Sequence, residues 1–166
     1  MIPHPDRQPV AANCAVITVS DTRTRENDRS GQIIQELLEA EGHQISIYTI
    51  VKDDPQAIAD LLDYLQHQFN LEVIIFSGGT GIAPRDTTYD VVSNWLTKII
   101  PGFGEIFRYL SYQEIGSRAI SSRTVAGVRD RQLVFSLPGS SNAVRLALKQ
   151  LILPEMNHLL QQIKGK

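Results

Sequence analysis

The sequence predicts an α/β fold: a three-layer, open and mostly parallel sheet flanked by helices, with a small antiparallel hairpin near the C-terminal third. Three observations predict it. Residues 13–20 (NCAVITVS) and 72–77 (EVIIFS) are short apolar runs without polar alternation, as strands buried on both faces are. Segments with apolar residues at helical spacing separate the strands. The resulting order, strand–helix–strand–helix–strand, is that of an open parallel sheet.

Taken in order, the first strand stops at Asp21-Thr22-Arg23, and a polar loop runs through Asn27 and Asp28. Ser30 is the expected N-cap of a helix carrying Ile33, Ile34, Leu37 and Leu38 on one face, with Gly42 as its stop. Ile45, Ile47, Thr49 and Val51 alternate as a second strand. Asp54 caps the next helix with Pro55 at its first position, where a proline loses nothing. Ile58, Leu61, Leu62, Leu65 and Phe69 form that helix's apolar stripe. After the third strand, a helix from Thr87 or Thr88 is expected to run through Val91, Val92, Trp95, Leu96 and Ile99 to Pro101. Residues 104–116 read as another helix. Residues 124–128 and 133–137 read as a hairpin about Arg129-Asp130-Arg131, and Ser140 or Ser141 caps a helix that Pro154 should break.

Composition excludes several classes. A chain of 166 residues, 42% hydrophobic and 20% charged, suggests one domain that buries roughly two-thirds of its unfolded surface. We expect residues 1–12, with three prolines, to be a disordered tail and 13–166 a single domain. A net charge of −2 leaves no electrostatic footprint for nucleic acid. No apolar run approaches the ~18 residues of a membrane span. Cys14 is the only cysteine, so no intrachain disulfide forms and a cytoplasmic location fits. His4, His43, His67 and His158 lack metal-ligand spacing and read as surface residues.

The chemistry gathers after the strands. Ser77, Gly78, Gly79, Thr80 and Gly81 end the third strand in a turn where several N–H groups can face one anion, ahead of a helix N-terminus. The spacing is neither a Walker loop nor a dinucleotide fingerprint. Ser20 and Asp21 follow the first strand, Asp53 the second, and Pro138, Gly139 and Ser140 the last. Such loops meet at the carboxyl edge of an open sheet. Arg85 supplies counter-charge to phosphate, while Asp53 and Asp86 are carboxylates beside it. That combination calls for a cation, and Mg²⁺ held by one or two carboxylates plus substrate phosphates points to phosphoryl or nucleotidyl transfer. A serine hydrolase is the rival enzyme, but only Glu155 and His158 follow Ser141, within one short segment.

SDTR (20–23), SG (30–31), KDD (52–54), SGGTG (77–81), RDTT (85–88), PGFGEIFRYLSYQEIG (101–116), SR with AGV (122–128) and LPGSSNA (137–143) together resemble the MoaB/MogA-type molybdopterin-binding family of molybdenum cofactor biosynthesis, in its MoaB branch. The resemblance implies a molybdopterin-binding fold assembled as a homotrimer, and adenylyl transfer from Mg-ATP to molybdopterin with release of pyrophosphate. It places catalysis and metal binding on Asp53 and Asp86. It places substrate binding on the glycine loop, Ser77 to Gly81, to which the loops read above add Ser20, Asp21, Arg85 and the segment from Pro138 to Ser140; Asp90, at a family glutamate position, joins them. After RDTT the family commonly has Pro-Glu-Ala; here Tyr89-Asp90-Val91 stands, with Asp90 one methylene shorter than the glutamate. A molybdopterin carrier without catalytic activity is the alternative.

Overall fold

The computed structural model describes residues 10–165. Along them run β1 (Asn13–Val19), α1 (Arg29–Ala40), β2 (Gln44–Val51), α2 (Pro55–Gln66), β3 (Val73–Ser77), α3 (Thr88–Trp95), β4 (Lys98–Ile99) and α4 (Pro101–Ile115). After a 3₁₀ turn come β5 (Val125–Arg129), β6 (Gln132–Leu137), α5 (Ser141–Ala147) and α6 (Leu153–Ile163). The sheet order is β2-β1-β3-β6-β5-β4. The first four strands are mutually parallel, and β5 and β4 are added antiparallel. The expected tail lies outside the described residues up to residue 9, and Ala12 is buried, with its N–H on His43 Nδ1.

Sequence pattern follows position in the sheet. β1, β3 and β6 lie inside it and are mostly apolar and buried almost throughout because both faces are covered. β2 is an edge strand and is only partly buried. Cys14, Val16, Val73, Ile75, Leu133 and Phe135 face α1, α4, α5 and α6. Ala15, Ile17, Ile74, Phe76 and Val134 face α2 and α3. Phe103 tilts against Phe135 with ring centroids 5.2 Å apart, which fixes α4 on the first face.

Several expectations are corrected. Asp28, not Ser30, caps α1, accepting from the Gly31 N–H at 3.0 Å. The helix after Thr87 ends at Trp95. Thr97 and Ile100 give their N–H groups to Val128 and Ala126, so residues 97–100 line the free edge of β5 instead of continuing the helix. Apolar spacing reads as helical there, but an open strand edge and β-branched Thr97, Ile99 and Ile100 favour pairing. Pro154 does not end the last helix: a π-helical turn over Leu148–Ile152 widens it where the proline ring would meet the preceding turn. Phe69 lies beyond α2 and is fully exposed. His43 is buried rather than superficial, and burial lowers its pKa from 6.5. His4 lies outside the described residues.

Candidate functional site

β1 and β3 are neighbours, yet α1 packs on one face of the sheet and α3 on the other. The chain therefore leaves the two strands in opposite directions and opens a crevice at their carboxyl ends. A cleft of about 180 Å³ sits there, lined by Val19, Ser20, Asp21, Thr22, Asp53, Gly79, Arg85 and Asp86. Six of the residues singled out in the sequence, from the loops after β1, β2 and β3, thus share one cavity.

The glycine turn is dictated by crowding. Gly78 has φ +110°, and a Cβ there would overlap the Val19 carbonyl; Gly79 has φ +65°, and its Cβ would overlap Thr88 Oγ1. Gly78 donates its N–H to Leu137 O at 2.9 Å, and Gly139 packs against Gly78, which brings the loop after β6 alongside the turn. The hydroxyls of Ser77 and Thr88 are buried without a hydrogen-bond partner among the described residues. Thr80 is buried, and its carbonyl accepts from the Arg123 N–H.

The two carboxylates are anchored by one oxygen each. Asp53 Oδ1 accepts from the Thr87 N–H at 3.3 Å and from Thr87 Oγ1 at 3.0 Å, while Oδ2 lies against Gly79. Asp86 Oδ2 accepts from the Ala83 N–H at 2.9 Å, closing its own loop, and no side chain caps α3. Asp21 Oδ1 accepts from the Asp53 N–H at 3.2 Å, and Ser20 Oγ accepts from the N–H groups of Thr22 and Arg23. The other oxygen of Asp53 and of Asp86 takes no hydrogen bond among the described residues. Asp54 is the α2 cap, as its position before Pro55 suggested.

Other predicted residues stand outside the cleft. Asp90 is half-exposed and paired with Arg123. Ser140 caps α5 through the Ala143 N–H. Gly139 offers its carbonyl to Arg23 Nη2 and Ser30 Oγ.

Behind the cleft, sequence reading missed a buried node. The fully buried Asp28 accepts from Thr18 Oγ1 at 2.6 Å, Tyr48 Oη at 2.8 Å, Gly31 N and Arg23 Nη1 at 3.2 Å. Burial pushes its carboxyl pKa up, but these donors outweigh burial and hold it below 3.8. Thr87, Thr88 and Arg123 were also missed as site residues, although all three lie within the segments that carried the resemblance.

A family described as "Probable molybdopterin binding domain" matches residues 15–158. The chain belongs to that family. The chain is 50% identical over 161 residues to "Molybdenum cofactor biosynthesis protein B" of Halalkalibacterium halodurans, covering 96% of this chain and 95% of the relative. The protein of the same name from Bacillus subtilis is 48% identical over 164 residues, covering 97% and 95%. Among solved structures, one titled as molybdenum cofactor biosynthesis protein B superposes with TM-score 0.92 at 46% identity over 96% of this chain and all of the other. The tungsten cofactor synthesizing protein MoaB of Pyrococcus furiosus superposes at 0.81 with 35% identity, covering 95% and 99%. The expected family and its mostly parallel sheet are therefore the ones found. No helix among the described residues is long and apolar enough to cross a membrane.

Proposed function

We propose that this protein acts in molybdenum cofactor biosynthesis by binding molybdopterin and transferring to it the adenylyl group of Mg-ATP. The observation that carries the reading is the single cleft in which Asp53 and Asp86, each with one oxygen uncommitted, face a side-chain-free glycine turn beside Arg85. The relatives' names supply the pathway.

No group of three or more His, Cys, Asp or Glu among the described residues forms a metal cage. Two carboxylates nevertheless fit Mg²⁺, which characteristically takes one or two protein carboxylates and completes its shell with substrate phosphates and water. Asp53 and Asp86 would hold it. When bound, the ion neutralises charge between the two anionic substrates and on the departing pyrophosphate.

The glycine turn presents backbone N–H groups to a phosphate with no Cβ in the way. Arg85 offsets the charge of two anions brought together. In the reaction a terminal phosphate oxygen of molybdopterin bonds to the α-phosphorus of ATP, and the bond from that phosphorus to the β-bridging oxygen breaks. Pyrophosphate leaves with that electron pair. The nucleophile is already an anion at neutral pH, so orientation and charge stabilisation matter more than a general base.

Pyrophosphate release from Mg-ATP that depends on added molybdopterin tests the proposal. Asp53→Ala and Asp86→Ala should each lower it by on the order of 10²-fold, the loss of one preorganised electrostatic group. Molybdopterin binding should survive both. Binding without any pyrophosphate release in the wild type identifies a carrier instead.

We also propose a homotrimer. Phe103 and Phe107 are buried in the monomer core and are not available to an interface. Ile106, Tyr109, Tyr112 and Ile115 remain exposed along α4, with Ile120 beyond it, and such a patch calls for a protein partner. Light scattering should return three times the monomer mass at micromolar concentration; a monomer refutes it.

A further inference from the structure

Arg123 follows the 3₁₀ turn, enters the sheet just ahead of β5, and lies outside the cleft. Its hydrogen bonds nevertheless converge on the glycine loop and the start of α3. Nε donates to Gly81 O at 2.8 Å, Nη2 to Asp86 O at 2.7 Å, and its backbone N–H to Thr80 O at 3.0 Å. Nη1 donates to both carboxylate oxygens of Asp90, at 2.9 and 3.0 Å, and the guanidinium lies over the Tyr89 ring, 5.0 Å from its centroid. Asp90 and Tyr89 thus hold the planar head still while three loop carbonyls are gathered onto one residue.

A trans peptide is planar, so fixing its carbonyl fixes the N–H on the opposite side. The carbonyl of Asp86 belongs to the same peptide as the Thr87 N–H, and that N–H reaches Asp53 Oδ1. A continuous path therefore runs from the Arg123 guanidinium, through the 86–87 peptide, to a carboxylate lining the cleft. The Gly81 and Ile82 N–H groups are turned away from Arg123 in the same manner. A cation on the carbonyl side also polarises each peptide and strengthens its N–H as a donor.

We propose that Arg123 is a positioning residue of the site: it sets the orientation of the glycine-loop peptides and, through the Thr87 N–H, of Asp53, with Asp90 and Tyr89 as its supports. The ligand consequence rests on the proposed Mg-ATP chemistry; the geometric consequence does not. Lysine cannot replace arginine here, because an ammonium is a point charge whereas the fork reaches two carbonyls and a carboxylate at once.

The test uses the full chain as wild type, Arg123→Gln, Arg123→Lys and Arg123→Gly. Two readouts are followed: amide hydrogen exchange of residues 80–87 without ligand, and Mg-ATP affinity by calorimetry. All three variants should exchange faster at Thr87 and bind Mg-ATP about tenfold or more weakly, as misplacement of a site group does. Melting temperature should move only by about 2–4 °C, the effect of a partly exposed ion pair. Millimolar guanidinium should restore slow exchange and affinity in Arg123→Gly, while urea at equal concentration should not. Wild-type exchange at Thr87 in Arg123→Gln overturns the proposal. So does full function in Arg123→Lys, or rescue by urea as well as guanidinium. If the wild type itself does not bind Mg-ATP, the proposed adenylyl transfer falls, and the exchange data alone decide the role of Arg123.

Discussion

The two walls of the cleft are fastened in different ways. On the β1 side, the carboxylate of Asp28 is fully buried and tied to Thr18, Gly31, Tyr48 and Arg23, and Arg23 continues to the carbonyl of Gly139. On the β3 side, the glycine loop is held by Arg123, whose side chain is 30% exposed, against an Asp90 that is 58% exposed. A buried charge with four donors is expensive to disturb, since any loss leaves polar groups stranded away from water. A half-solvated pair contributes little to stability, because water competes for both partners. The contrast separates two duties. The Asp28 wall belongs to the fold, holding the loops after β1 and β6 together whether or not a ligand is bound. The Arg123 wall is a shape held at little energetic cost, so it can be lost without unfolding the protein.

Replacing the buried charge is the largest perturbation. Asp28→Ala removes the α1 cap and strands the donors of Thr18 and Tyr48, and should cost about 3–5 kcal/mol of unfolding free energy. Arg123→Gln should cost no more than about 1 kcal/mol. Urea unfolding of both variants measures the comparison, and equal losses would erase the distinction between the walls.

Tyr48→Phe is the finer probe. It deletes one donor to an ionised carboxylate and should cost about 1.5 kcal/mol at pH 7. Burial and the bond to Asp28 push the Tyr48 pKa up to about 12, so it remains a donor throughout the acid range. The Asp28 pKa lies below its unfolded value of 3.8, so the stability it contributes is present above pH 3.8 and lost as pH falls through the folded pKa. Unfolding measured from pH 7 down to 3 should therefore show the gap between wild type and Tyr48→Phe narrowing only below about pH 4. A gap already closing above about pH 5 would mean that Asp28 is held above the ordinary carboxylate range instead of below it.

Much of this was legible in sequence because it rests on local chemistry. Apolar runs reveal central strands, since burial on both faces permits nothing else. Glycine at 78 and 79 marks a turn whose backbone excludes a Cβ, and Asp54 before Pro55 marks a helix start. Asp53, Asp86, Arg85 and Asp21 were legible as site candidates because each follows a strand that a parallel sheet brings to one edge. What tertiary structure decided was pairing across distance. Residues 97–100 carry a helical pattern, and only the open edge of β5 turned them into a strand. Asp28 reads as a loop residue until Thr18, ten positions earlier, and Tyr48, twenty later, close around it. Arg123 reads as a surface charge until Asp86, thirty-seven positions earlier, presents its carbonyl. Local chemistry specifies what each residue can do. Which partner a buried carboxylate or a guanidinium meets depends on how the layers pack, and no spacing along the chain encodes that contact.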